Sequence, residues 1–181
     1  MIDELEVLKI VTGRLESAGI PYMVSGSVAA NFYAAPRMTR DIDIVIEISE
    51  KDTEKIFSLF SGDFYIDKEA IKNSLKSQGM FNVIHYEAIV KVDFIIRKNQ
   101  EYSRIEFGRK RKIIFGGSSI NIVSPEDLII SKLFWAKDSF SEIQIKDVKN
   151  LIKTVDELDM NYIKSWVKKL GLEDIFKEAD K

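Results

Sequence analysis

The chain contains no cysteine and a single histidine. The first absence excludes disulfides, thiolate metal sites and thiol nucleophiles. The second argues against His-based zinc sites and His-dependent triads. Long hydrophobic runs are missing as well: none approaches a membrane span, and the opening Met1-Ile2-Asp3-Glu4 has none of the character of a signal sequence. A soluble, cytoplasmic protein that makes no use of a membrane is therefore expected. Neither sign of charge dominates. With 27 basic and 29 acidic side chains the net charge is −2, so overall charge predicts neither nucleic-acid nor membrane binding, and any anion site must be local. What the sequence does have is core-forming material, 45% apolar residues in a chain of 181, enough for one ordinary domain or a domain with an extension.

Apolar residues Leu5, Leu8, Val11, Leu15 and Ala18 recur at helical spacing, with Gly19 as the stop. A strand is predicted over 22–25, a turn at Gly26-Ser27, a short helix over 28–35 ended by Pro36, and a strand over 42–48. Ser49 reads as the N-cap of a helix over 51–60, and 70–76 as another short helix. Strands follow over 80–86 and 88–97, then a hairpin of 111–115 and 119–123 turning at Gly116-Gly117. Ser124-Pro125-Glu126-Asp127 is a helix start. Beyond it the pattern is helical over 125–137, 142–158, 161–170 and 172–179. A mixed α/β core over 1–123 and a helical region over 124–181 are the expected domains.

One stretch carries chemistry. Thirteen residues separate Gly26-Ser27 from Asp41-Ile42-Asp43. On a strand, residues two apart share a face, so Asp41 and Asp43 project together while Ile42, Ile44, Ile46 and Ile48 line the other side. Neighbouring carboxylates repel, and a hard divalent cation with oxygen ligands, Mg²⁺ or Mn²⁺, resolves the conflict. Asp93 stands on a second strand, opposite the face of Val90, Val92, Phe94 and Ile96, where it can act as a third ligand or as a base. Gly26 lets a phosphate approach the main chain, and Ser27 adds a hydroxyl and an amide at a helix start. Arg37 and Arg40 lie in the loop before the first Asp and suit triphosphate charge. Metal-assisted phosphoryl or nucleotidyl transfer needs these parts.

The apolar-Gly-Ser turn, the spacer, the acid-apolar-acid strand and the later strand Asp resemble the signature of the nucleotidyltransferase superfamily of the DNA polymerase beta type. Ser25-Gly26-Ser27-Val28-Ala29-Ala30, Arg37-Met38-Thr39-Arg40-Asp41-Ile42-Asp43 and Ser124-Pro125-Glu126-Asp127-Leu128-Ile129-Ile130-Ser131-Lys132 are most similar to the bacterial AbiEii-like nucleotidyltransferases, which include toxins of toxin–antitoxin systems. The resemblance implies an α/β (α+β) fold, a mixed sheet flanked by helices with a C-terminal helical extension. It implies transfer of a nucleoside monophosphate from an NTP, ATP among them, to a hydroxyl of RNA (tRNA included), protein or a small molecule. A cognate antitoxin is the implied protein partner. Asp41, Asp43 and Asp93 would be the catalytic and metal-binding residues. Gly26 and Ser27 would hold the phosphates, with Lys132 reaching them from its helix. The chain is shorter than many toxin members, which implies that part of their acceptor-binding region is absent. Two other functions share the motifs: a non-catalytic nucleotide- or partner-binding module, and an antibiotic nucleotidyltransferase, for which Glu101, Glu106 and Glu142 are available acids.

The remaining features have plainer explanations. Arg109-Lys110-Arg111-Lys112 reads as a solvated strand entry, and His85 as a structural or surface residue. Phe134, Trp135 and Trp166 read as helix packing, and the charges of 146–153 as an exposed helix face.

Overall fold

The computed structural model describes residues 2–39, 41–115, 117–139 and 141–180. They fall into two compact units, one of Met1–Val28 with Met38–Ile122, the other of Ala29–Arg37 with Val123–Lys181.

The first unit opens with α1 (Glu4–Ser17), capped by the Asp3 carboxylate, which accepts a hydrogen bond from the Glu6 amide at 2.9 Å. Its buried stripe is Val7, Leu8, Val11 and Leu15; Leu5, expected on that stripe, is exposed. There follow β1 (Tyr22–Val24), α2 (Gly26–Tyr33), β2 (Asp41–Ile46), α3 (Thr53–Phe60), β3 (Phe64–Tyr65), α4 (Lys68–Ser77), β4 (Met80–His85), β5 (Lys91–Ile96), α5 (Glu101–Gly108), β6 (Arg111–Phe115) and β7 (Ser118–Ile122). Residues 29–33 of α2 count with the second unit. The strands make one mixed sheet in the order β3-β4-β5-β2-β1-β7-β6. β2 pairs parallel with β5 and antiparallel with β1, which puts it inside the sheet. Its alternation does what the sequence predicts: Ile42, Ile44 and Ile46 are wholly buried. Val92, Phe94 and Ile96 of β5 bury beside them. The Phe94 ring meets those of Phe60 at 5.4 Å and Phe81 at 5.2 Å. Each such side chain contributes about 1.5–3 kcal/mol by leaving water.

Two elements were not foreseen. β3 is only two residues long, below the reach of any periodicity. α5 has no side-chain hydrogen bond from its N-cap, Gln100, and buries only Phe107, so it lacks both a start signal and an apolar stripe. β2 also ends at Ile46, short of the predicted Ile48. The helix expected from residue 51 starts with a 3-10 turn (Glu50–Asp52), where the Ser49 amide and hydroxyl both donate to Asp52 Oδ2. His85 is buried, and its Nδ1 accepts from the Ala88 amide at 3.0 Å, a structural role as expected.

The second unit holds α6 (Pro125–Ser139), α7 (Glu142–Thr154), α8 (Met160–Lys169) and α9 (Glu173–Ala179). The start of α6 is the predicted one. Ser124 Oγ donates to Asp127 Oδ2 at 2.6 Å and accepts from the Asp127 amide at 3.2 Å. The hydroxyl of Tyr162 in α8 donates to the other Asp127 oxygen at 2.6 Å. Leu128, Ile129, Ile130, Leu133 and Ala136 are buried, as is Trp166. Phe134 and Trp135, expected to pack, are 44% and 57% exposed. Burial runs all round the first turns of α6, residues 125–130, whereas from residue 131 on it narrows to Lys132, Leu133 and Ala136, and the two rings lie in that more exposed half.

The charges of 146–153 correct a second expectation. Asp147 is not on an exposed face; it is 5% exposed and holds two cations. Arg37 Nε and a terminal nitrogen each donate to it at 2.9 Å, one to each oxygen, and Lys132 Nζ donates at 2.8 Å. Lys132, itself 3% exposed, also donates to Gln144 Oε1 at 3.1 Å. The Arg37 backbone is pinned by a reciprocal pair with Asn31, amide to Oδ1 at 2.9 Å and Nδ2 to carbonyl at 2.7 Å. The ion group thus ties 29–37, α6 and α7 into one unit. Burial alone would raise the Asp147 carboxyl; the hydrogen bonds from Arg37 and Lys132, with their charges, overcome it and hold the carboxyl below the usual carboxylate range.

Asp147→Asn keeps the side-chain shape but leaves the buried Lys132 ammonium without its counter-charge, at an expected cost of about 3 kcal/mol at neutral pH. Because the folded pKa is depressed, this stabilisation is full above the unfolded carboxyl's pKa, about 4, and disappears as pH falls through the folded value. Urea denaturation at pH 7 and pH 3 checks both points: the gap between wild type and Asp147→Asn should shrink at the lower pH.

Candidate functional site

β1 delivers the chain to Ser25, whose amide donates to the Asp43 carbonyl at 2.9 Å. The next residue, Gly26, takes φ +62°, left-handed backbone that costs other residues roughly 1–2 kcal/mol. Space makes the same demand. A Cβ on Gly26 would stand 1.9 Å from Asp43 Oδ2 and 2.6 Å from its Cγ. The turn thus brings bare main chain against a carboxylate, and α2 starts there, with Ser27 in its first turn. Helix starts present amides to anions.

The parallel pairing of β2 with β5 sets the acids in order. Asp43 lies opposite Asp93, and Asp41 opposite Lys91. Asp93 is 7% exposed although Val92 and Phe94 on either side of it point into the apolar layer. Strand alternation carries its carboxylate to the other face, the one that Asp41 and Asp43 share. Asp41, Asp43 and Asp93, the three acids singled out in the sequence, are thus placed on two adjacent strands in register.

Lys91 was not among the residues expected here. Its Nζ lies 2.9 Å from Asp93 Oδ2 and 3.5 Å from Asp41 Oδ2. The hydrogen bond to Asp93, with the charges of Asp93 and Asp41, raises the Lys91 pKa against a smaller effect of burial. Glu4 of α1 is a further acid in this environment. Burial, then the charge of Asp41 and of Asp3, pushes its carboxyl up, and its Oε1 is buried without a hydrogen-bond partner.

These residues suit a hard divalent cation. The donors are all carboxylate oxygens, and one cation, the Lys91 ammonium, already sits between two of them. Among the described residues no three carboxylate or imidazole side chains converge on a single point. What Asp41 and Asp93 share is the Lys91 ammonium.

Three other residues are singled out for phosphate in the sequence. Arg37 and Lys132 both engage Asp147 in the second unit. Arg40 falls outside the described residues. In the basic run, Lys110 caps α5, donating to the Phe107 carbonyl at 3.0 Å over the Phe107 ring, while Arg111 and Lys112 are exposed on β6 as expected. No helix among the described residues is long and apolar enough to cross a membrane.

No family model and no curated protein matches the chain. Solved structures do. The chain is similar to an antigenic nucleotidyltransferase-like protein of Paracoccidioides brasiliensis, with a TM-score of 0.58 and 16% identity over 97% of this chain and 91% of that one. It is similar to the lincosamide antibiotic adenylyltransferase LnuA, solved with lincomycin bound, with a TM-score of 0.57 and 15% identity over 84% of this chain and 98% of the other. It is also similar to ANT(2″)-Ia in complex with adenylyl-2″-tobramycin, with a TM-score of 0.56 and 11% identity over 98% and 95%. At such identities the likeness speaks for architecture: the mixed sheet and its helices form a nucleotidyltransferase-like fold.

Proposed function

We propose that the chain is a metal-dependent nucleotidyltransferase that moves a nucleoside monophosphate from an NTP to a hydroxyl acceptor. The observation that carries this is the register of β2 and β5, which sets Asp43 against Asp93 with Asp41 two residues away, beside the Gly26 turn. A nucleotidyltransferase-like fold in the three solved structures supports it.

Asp41 and Asp43 would hold Mg²⁺ or Mn²⁺, with Asp93 as third ligand or as base. A cation so held would neutralise triphosphate charge and polarise the reacting phosphorus. Gly26 admits the phosphates to the main chain, and Ser27 offers its hydroxyl and amide at the start of α2. The acceptor oxygen bonds to the α-phosphorus as the bond to the pyrophosphate oxygen breaks. The acceptor's proton passes to a carboxylate, and the buried Asp93 is the one we assign. Arg40 stays assigned to phosphate by its place in the loop before Asp41. Arg37 and Lys132 share that assignment, and the proposal does not depend on them.

The acceptor class is set by experiment. RNA ends, tRNA among them, and protein follow from the toxin resemblance, as does a cognate antitoxin. Small hydroxylated molecules gain support from the fold neighbours solved with lincomycin and with adenylyl-tobramycin. Incubation with each α-labelled NTP, Mg²⁺ or Mn²⁺, and RNA, protein extract or aminoglycoside and lincosamide panels distinguishes them.

Asp41→Asn and Asp43→Asn are each expected to lower transfer by at least about 10³-fold, the scale of losing a central electrostatic group, with far-UV circular dichroism unchanged. Full activity in both variants would remove the proposed mechanism. Nucleotide binding without label transfer to any acceptor would favour the non-catalytic binding module.

Gly26→Ala tests the cradle. The methyl must displace the Asp43 carboxylate, so transfer should fall by about 10²-fold or more, as misplaced catalytic groups do. The stability loss in thermal melting should stay near the 1–3 kcal/mol of a strained backbone position.

A further inference from the structure

We infer that Lys91 is a built-in counter-ion of the carboxylate site and competes with a divalent cation for it. The inference rests on the nucleotidyl-transfer assignment of Asp41, Asp43 and Asp93.

Strand geometry places this lysine in the site. The parallel register sets Lys91 directly opposite Asp41 on β2. The two-residue period puts it on the same face as Asp93 of its own strand. Its ammonium therefore falls among the acids as soon as β5 docks on β2, at 2.9 Å from Asp93 Oδ2 and 3.5 Å from Asp41 Oδ2. One of these carboxylates, Asp41, is assigned to the metal, and the other, Asp93, is assigned as third ligand or base. A compact ammonium and a divalent ion cannot both sit at van der Waals distance from the same oxygens without a strong like-charge repulsion.

The partners differ in freedom. The Asp93 side chain is 10% exposed and fixed in the sheet, whereas that of Lys91 is 37% exposed. The lysine is the partner that can withdraw, by rotating its four-carbon stem toward water. In the absence of nucleotide it offsets the repulsion among the acids, which would otherwise work against pairing β2 with β5. When a triphosphate arrives it offers Lys91 another anion to pair with and releases the carboxylate oxygens. The expected behaviour is weak cation binding by the protein alone and stronger binding in company with the nucleotide.

The test is Mn²⁺ binding without nucleotide, followed by calorimetry and by the electron paramagnetic resonance of free Mn²⁺. Wild type, Lys91→Met, Lys91→Arg and the double variant Lys91→Met/Asp41→Asn are compared, with circular dichroism as the folding check and Lys91→Gln as the substitute if Lys91→Met does not fold. Lys91→Met should bind Mn²⁺ at least about tenfold more tightly than wild type, since a like charge a few ångströms away costs that much or more. Lys91→Arg should stay near wild type, because the cation remains. Asp41→Asn should cancel the gain, which locates the ion. The rise in melting temperature on adding Mn²⁺ should likewise be larger in Lys91→Met. Equal or weaker Mn²⁺ binding by a folded Lys91→Met, beside a wild type that does bind, overturns this inference alone. Absence of Mn²⁺ binding in every protein, with and without NTP, overturns the metal-dependent assignment and this inference together.

Discussion

Everything at the candidate site depends on the parallel pairing of two strands. β2 and β5 are distant in sequence and meet side by side in the sheet, residue for residue from Asp41 opposite Lys91 to Ile46 opposite Ile96. The pairing is costly where it brings carboxylates together and favourable where it brings isoleucine, valine and phenylalanine together. The apolar face wins because it is larger: Ile42, Ile44, Ile46, Val92 and Phe94 vanish from solvent behind the acids. Core burial thus holds a polar arrangement that would not hold itself. Each strand serves both purposes, with alternate residues assigned to packing and to chemistry.

The two units handle buried charge in different ways. In the helical unit a single carboxylate, Asp147, takes a guanidinium on both its oxygens and an ammonium on one. In the sheet unit the count runs the other way, with two acids, Asp41 and Asp93, around one lysine. The first arrangement is suited to holding elements together, since both cations lean on one carboxylate and its loss leaves the buried Lys132 ammonium without a counter-charge. The second gives one partly exposed ammonium two carboxylates, which suits a place where cations exchange.

Much of this was legible in the chain. The isoleucines of β2 alternate so regularly that strand, buried face and acidic face follow from six residues, and Ser124-Pro125 marks the start of α6 by capping chemistry alone. Less could be read where partners are remote. Lys91 in isolation is an ordinary polar residue of a half-buried strand; its partners exist only once β5 lies along β2. Asp147 sits among lysines and looks solvated, yet its main cation is Arg37, 110 residues earlier. Phe134 and Trp135 mislead for the opposite reason, since their apolar character says nothing of how far along α6 the packing around it extends. Local pattern reveals elements and faces, whereas charge pairing across elements needs the tertiary register.

The alternation on β5 also bears on how faithfully the sheet assembles. A strand of plain isoleucines and valines can slide by one residue against its neighbour at little cost, exchanging one apolar face for another. With Lys91 and Asp93 interleaved among Val92, Phe94 and Ile96, a slip of one position would drive an ammonium and a carboxylate into the apolar layer and turn aromatic and branched side chains toward the acids of β2. The charged residues proposed for chemistry in the finished protein therefore also penalise misaligned strands during folding, so the sheet carries its own proofreading.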